Sequence, residues 1–433
     1  MAGGLSTRMR STTSKHLHPL LGKRVVDWVI DAVRPLAPDP IVVVASPDTA
    51  SAYEELPVSV AVQAEPRGSG DAVASARAAL EGFEGDVLVL SDTPLLTPEL
   101  LSALLDEHRR EQASVTLLSF VPDEPFPYGR IIRDASGSVQ AIVEERDATD
   151  QQREIRELNS SIYVFRAAAL WHALGRIDDD NAQRELYLTD AIGHIVAAGG
   201  EAIAFTSPDS VSPQGINTRA ELAAAAAVLR GRVNQAHMLA GVTIVDPQAT
   251  WIDAGVEIEP DVTIHPFTVL RGATSVARGA EVGPHVVAVD SRVGEDVVVG
   301  PFCYLRPGTV LEAGSKAGTF VELKNATIGP GAKVPHLSYL GDAEVGEGSN
   351  VAAGGITANF PHAPGSPKAR TTIGRNVKTG IHNGFQAPVE IGDGSWIAGG
   401  TYITEDVPPE SLAGFPPRQI TKEGYLREQH DDD

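Results

Sequence analysis

A single cysteine, Cys303, in 433 residues excludes an intrachain disulfide and any zinc site built from several thiolates, and it suits a reducing compartment. No signal-peptide pattern and no eighteen-residue apolar run appears, so a soluble, cytoplasmic chain with no membrane insertion is expected. Positive charge is scarce, with 35 Lys and Arg against 57 Asp and Glu for a formal charge of −22. Such a field repels polyanions, so no nucleic acid is expected as a partner, and any substrate phosphate needs a local basic cluster. One stretch lacks the opposite sign. The first 26 residues hold Arg8, Arg10, Lys15, Lys23 and Arg24 and no acid.

The small-residue run Ala2-Gly3-Gly4-Leu5-Ser6-Thr7 leads straight into Arg8. Glycines expose backbone N–H groups and the cations add charge, so this segment can cradle a triphosphate. A glycine-rich turn with a solvated basic face is the plainer alternative. Beyond it, short apolar strands at 41–45, 58–62, 86–90 and 114–120 alternate with helical patterns at 25–33 and 71–80, which indicates an α/β sheet. An alanine-rich helix at 218–239 follows, and the length favours two domains.

After that helix the apolar residues recur every sixth position. The runs are Ile252, Ile258, Ile264, Leu270, Val276, Val282; Val293, Val299, Leu305, Leu311, Ala317, Leu323; Ile328, Val334, Leu340; Val345, Val351, Thr357; and Ile373, Thr379, Phe385, Ile391, Ile397, Ile403. Neither a helix nor an alternating strand keeps that register. Three six-residue units form one triangular coil of a parallel β-helix, with the sixth-position side chains stacked inside. Glycine often follows the stacked residue, as at Gly283, Gly300, Gly329 and Gly392, where the chain is expected to turn a corner.

The opening Met-Ala-Gly-Gly-Leu-Ser-Thr-Arg-Met-Arg, with Ser14-Lys15-His16-Leu17-His18, resembles the signature loop of the sugar-nucleotide pyrophosphorylases. Joined to a hexapeptide β-helix, it resembles the bifunctional family in which a glucosamine-1-phosphate N-acetyltransferase is fused to an N-acetylglucosamine-1-phosphate uridylyltransferase. The resemblance covers nearly the whole chain. It implies a nucleotidyltransferase domain with a Rossmann-like mixed sheet at 1–217, a helical linker at 218–240, and a left-handed parallel β-helix at 241–433. It further implies synthesis of UDP-N-acetylglucosamine for peptidoglycan precursors, with acetyl-CoA and UTP as co-substrates, Mg²⁺ as cofactor, and a homotrimer with acetyl-transfer sites between subunits.

Residue by residue, the resemblance assigns Gly4, Arg8, Lys15, Gln63, Gly68 and Ser69 to UTP, with Arg8 and Lys15 acting in catalysis. Gly129, Glu144, Asn159 and Asn217 go to N-acetylglucosamine-1-phosphate, and Asp92 with Asn217 to the metal. The stretch from Asn181 to Asp190 also keeps the family's order. Oxygen ligands of this hard type, few in number and completed by phosphate and water, suit Mg²⁺. In the second half, Arg306, Lys324, Tyr339 and Asn350 are assigned to glucosamine-1-phosphate. His336 is the general base, a role imidazole fits because an ammonium cannot attack a thioester. Ala353, Asn359, Phe360, Ile381, Gly399 and Arg418 are assigned to acetyl-CoA, and Lys368 and Arg370 are expected near its phosphates.

Departures from the family's pattern qualify both halves. Phe360 stands for a tyrosine, Ile381 for a serine, and Pro416 at an arginine position with Arg418 two residues on. The stretch from Val282 to Val299 reads about one coil short. Ser6 replaces a glycine and Ser14 a proline. The glycine loop should follow a buried strand that is not in this sequence, and a start some ten residues upstream is the expectation drawn from it. Two other readings remain: a uridylyltransferase whose β-helix serves only to trimerise, and a non-catalytic trimeric scaffold.

Overall fold

The computed structural model describes residues 1–4, 6–123, 127–360, 367–414 and 421. Its contacts divide the chain into two compact units, Met1–Leu229 and Arg230–Asp433. The helix Arg219–Leu239 carries the chain from one to the other, matching the alanine-rich run.

In the first unit the strands Val42–Ala45, Ser59–Val62, Asp86–Val89 and Val115–Phe120 form where short apolar runs appear, and helix Val25–Val33 has the expected bounds. The pattern at 71–80 splits into a helix, Ser69–Ser75, and a 3₁₀ turn, Arg77–Leu80. Val115–Phe120 lies at the heart of a six-stranded mixed sheet, parallel to Ala202–Thr206 on one side and antiparallel to Leu158–Arg166 on the other. It is buried along its whole length, as a strand covered on both faces must be. Val42–Ala45 and Ser59–Val62 form a separate parallel pair.

Val42–Ala45 and Asp86–Val89 flank an apolar cavity of about 600 Å³, lined among others by Val29, Val43, Val44, Val87 and Val89. Among the described residues no strand pairs with both. Only Ala2 bridges to Ala45, its N–H donating to the Val44 carbonyl at 2.6 Å, while the Met1 amino group donates to the Leu90 carbonyl at 2.8 Å.

The second unit is a left-handed β-helix of short parallel strands. Every hexad residue named above is buried except Ile258, which is partly buried and packs on the same core. The rungs here pair at offsets of 18 or 17 residues, for example Ile264 with Val282 and Val282 with Val299. The ladder is therefore continuous across 282–299, where the coil is 17 residues long. The glycines after stacked residues answer two needs. Gly283 and Gly300 have φ of 111° and 112°, a region L side chains avoid, but Gly329 and Gly392 do not. There the constraint is space, since a Cβ would meet the Val345 carbonyl oxygen at 2.8 Å and the Pro409 nitrogen at 2.4 Å. Ile328 is fully buried in this stack, so Ile328→Val should lower the denaturation free energy of the second unit by about 0.5–1.5 kcal/mol and leave the first unit's transition in place.

Candidate functional site

A cavity of about 630 Å³ in the first unit is lined by Gly4, Arg8, Lys15, Gln63, Gly68, Ser69, Asp92, Glu144 and Asn217. Nine of the residues singled out for the nucleotide, sugar and metal thus meet in one place. The loop reaches it through a 3₁₀ turn, Thr7–Met9, entered at Ser6 with φ 53°, a left-handed conformation that accounts for a glycine preference there. Ser6 keeps its place by accepting the Lys15 N–H at 3.0 Å and donating to the Gly4 carbonyl at 3.2 Å.

Asp92 lies in a bend three residues past the strand Asp86–Val89 and is buried. The Lys15 ammonium bonds its Oδ2 and the Asn217 Oδ1 (3.2 Å), and Arg8 also donates to that amide oxygen at 2.7 Å. Burial alone would raise the Asp92 pKa, but the charge and hydrogen bond of Lys15 outweigh it and hold the carboxyl below its ordinary value. His16 beside it is pushed down to about 3 chiefly by burial and is neutral. Two oxygen donors, one anionic, therefore converge on a single cation. Among the described residues no cluster of three or more acidic, histidine or cysteine side chains competes for a metal.

Gln63 donates both amide hydrogens, to the Gly68 carbonyl at 3.1 Å and to Asp71 Oδ2 at 2.9 Å. Among the described residues its oxygen meets no donor; it lies on the side of Gly3, where a Cβ would come within 2.9 Å. Gly68 has φ 120°, and a Cβ there would lie 2.6 Å from the Leu186 carbonyl oxygen, so only glycine lets the loop seat on that backbone. Glu144 lies across the cavity. Burial raises its pKa, partly offset by the Thr189 hydroxyl, which donates to Oε1 at 3.2 Å. Gly129 and Asn159 do not line the cavity but stand behind that carboxylate: a Cβ on Gly129 would be 3.5 Å from Glu144 Oε2 and 3.6 Å from the Asn159 Cβ. Asn159 is buried and donates to the Tyr163 hydroxyl at 2.8 Å.

In the β-helix most of the described candidate residues gather at the two edges of one face. Rungs of that face carry Tyr304, Glu322, Tyr339 and Ile356 outward in register. At its trailing edge Arg306 pairs with Glu322 at 2.8 Å, and the register sets Lys324 one rung on. Lys368 lies against Lys324 and lowers its pKa, with Arg306 adding to the effect and Asp342 opposing it. Lys368, expected near coenzyme A phosphates, therefore stands with Lys324 and Arg306, and Arg370 is engaged by Glu344 at 2.9 Å. Glu322 as a partner of Arg306 is visible only once the rungs are stacked. Asn359 donates to Asp342 at this same edge. Phe360 next to it is largely exposed, with the Lys368 ammonium 6.0 Å from its ring.

The leading edge holds the others. Lys333 is level with Asn350 and Tyr339 with Ile356, an offset of 17 in both cases, which sets exposed His336 one rung from Ala353. Ala353 accepts from the His382 N–H at 2.8 Å and Ile381 from that of Gly400 at 2.8 Å, so Ala353, Ile381 and Gly399 stand on successive rungs above it. Asn350 falls on a different face, bridging Lys333 and Lys378. Arg418 and Pro416 lie outside the described residues.

Residues 1–185 match the family model of the MobA-like NTP transferase domain. Over 440 residues the chain is 45% identical to the bifunctional protein GlmU of Mycobacterium tuberculosis, covering 95% of this chain and 88% of that protein. It is 42% identical over 447 residues to the GlmU of Pelobacter propionicus, covering 98% and 96%. With that of Corynebacterium glutamicum it shares 43% over 455 residues, covering 99% and 93%.

Proposed function

This chain belongs to the family of bifunctional GlmU proteins, enzymes with an acetyltransferase and a uridylyltransferase activity in UDP-N-acetylglucosamine synthesis, and on that premise we propose how its residues divide the two reactions. The uridylyl site occupies the first-unit cavity. Arg8 and Lys15 bind the triphosphate, and Gln63 offers its unused amide oxygen to the imide N–H of uracil. Gly129, Glu144 and Asn159 take N-acetylglucosamine-1-phosphate. A sugar-phosphate oxygen attacks the α-phosphorus of UTP and pyrophosphate leaves, so no protein nucleophile is needed. Alignment and charge neutralisation carry the rate. Asp92 and Asn217 are the oxygen pair that would hold Mg²⁺, which supplies a further positive charge on the phosphates when bound. The observation that carries this reading is the meeting of Arg8, Lys15, Asp92 and Asn217 at one point of a cavity that also presents Gln63 and Glu144.

Acetyl transfer is placed on the β-helix. Arg306, Lys324 and Lys368 hold the phosphate of glucosamine-1-phosphate, with Tyr339 and Asn350 on the sugar, and His336 takes the proton from its ammonium so that the amine can attack the thioester. Ala353, Asn359, Phe360, Ile381, Gly399 and Arg418 serve acetyl-CoA. The phosphate cations and His336 stand at opposite edges of one face of a single chain, which favours sites completed between copies of a homotrimer. An exposed corner ladder of Phe267, His285, Phe302 and Phe320, with rings 4.7, 4.7 and 5.2 Å apart, adds apolar surface for such an assembly. The domains are taken as 1–217, 218–240 and 241–433. No helix among the described residues is long and apolar enough to cross a membrane, and a cytoplasmic site of action is proposed.

Separate assays of the purified chain test this. Pyrophosphate release from UTP with N-acetylglucosamine-1-phosphate, and thiol release from acetyl-CoA with glucosamine-1-phosphate, should both be observed, with UTP preferred to dTTP. A normal first activity without thiol release would reduce the β-helix to an assembly platform. If neither UTP nor acetyl-CoA raised the melting temperature, both sites would be lost.

A further inference from the structure

Thr189 immediately precedes helix Asp190–Ala197 with helical angles of its own, φ −62° and ψ −29°, and its side chain makes no capping bond. It is 4% exposed, and its hydroxyl is given to Glu144 Oε1 at 3.2 Å. The hydroxyl therefore serves a carboxylate in the cavity, not the helix end. That bond occupies one oxygen and leaves Oε2 beside Gly129, which is assigned with Glu144 to the sugar.

The backbone just before Thr189 is fixed from the nucleotide side. Leu186 donates to the Arg67 carbonyl and accepts from the Gly70 N–H, both at 2.8 Å, and the Leu188 N–H donates to Ser69 Oγ at 3.0 Å. One short segment therefore grips the loop that carries Gly68 and Ser69 and, within a few residues, aims Glu144.

We propose that Thr189 is a positioning residue for sugar-phosphate recognition, holding the Glu144 carboxylate so that Oε2 meets the substrate, from a segment anchored on the nucleotide loop. This rests on the assignment of Glu144 to the sugar subsite. A carboxylate on a flexible side chain binds weakly unless something else has already fixed its orientation, and a hydroxyl donor also favours its ionised form. Burial raises the Glu144 pKa, and Asp190, Asp147 and Glu185 act in the same direction, while Thr189 opposes them. Binding that needs the carboxylate ionised is lost as pH falls through that pKa, so removing the hydroxyl moves the loss to higher pH.

The test compares Thr189→Val, Thr189→Ala and Thr189→Ser in uridylyl assays of the full chain at saturating UTP, across pH. Valine and alanine should raise KM for N-acetylglucosamine-1-phosphate about tenfold with kcat within about twofold, and shift the acid limb of the KM profile upward. Serine should restore both. The substrate phosphate titrates alike in every variant, so the shift reports the protein. The melting transition of the first unit, unchanged in every variant, serves as the folding control. A wild-type KM and acid limb in Thr189→Ala, or serine behaving like alanine, overturns the proposal. Glu144→Gln separates it from its premise: if that variant keeps a wild-type KM the sugar-subsite reading fails, whereas if it raises KM and Thr189→Ala does not, only the role of Thr189 fails.

Discussion

Replacing Asp92 by alanine is expected to lower pyrophosphate release from UTP about a thousandfold and to leave thiol release from acetyl-CoA at its wild-type rate. Asp92 is the one anion at the point where Lys15 and Asn217 meet, so its loss removes the charged half of the proposed metal pair and leaves the Lys15 ammonium largely buried without its counter-ion. The second effect threatens the first unit's stability, because stripping one partner from a buried pair costs about 3–5 kcal/mol. Asp92→Asn keeps the shape with less disruption and should show the same selective loss. Burial raises the Asp92 pKa while Lys15 lowers it below the ordinary value. The pair's contribution to stability is therefore full above the unfolded aspartate range and lost only as pH falls through the lowered folded value. The two units have separate hydrophobic cores, so acetyl transfer should be spared. Loss of both activities from a folded protein would end the two-site reading.

His336→Ala should lower acetyl transfer by about 10²–10⁴ while uridylyl transfer is unchanged. His336 is exposed at the end of strand Lys333–His336, level with Ala353 and at the foot of the rungs that carry Ile381 and Gly399. An imidazole there can accept a proton from an amine lying along those rungs. His336→Gln, which keeps a polar side chain of similar reach but cannot take the proton, should be as slow as the alanine variant. A wild-type rate in either variant removes His336 from the mechanism.

The stacked core of the second unit was legible because a six-residue period states which side chain faces inward on every coil. The period is silent on which outward residues become neighbours. The offset between rungs is 17 from Tyr339 to Ile356 but 28 from Ile356 to Gly384, so counting hexads alone misplaces whatever follows that insertion. Lys368 beside Lys324, Glu322 beside Arg306, and Asn350 on another face are consequences of that stacking. In the first unit, motif order identified Asp92, Gln63 and Glu144, and the cavity unites them. The contact of Lys15 with Asp92, 77 residues apart, and the role of Thr189 depend on three-dimensional neighbours that no local pattern encodes.

The apolar cavity between Val42–Ala45 and Asp86–Val89 bears on how tightly the nucleotide loop is tied to the fold. Apart from the bridge at Ala2, the facing edges of those strands carry no ladder among the described residues, and the segment bearing Gly4, Arg8 and Lys15 departs from between them. Amide hydrogen exchange at Val43 and Val44 is therefore expected to outrun that of Val115–Phe120, which is paired on both sides, and UTP should slow it. Part of the free energy of nucleotide binding would then go into closing this seam, so that measured affinity for UTP and the local cohesion of the domain become one quantity seen from two sides.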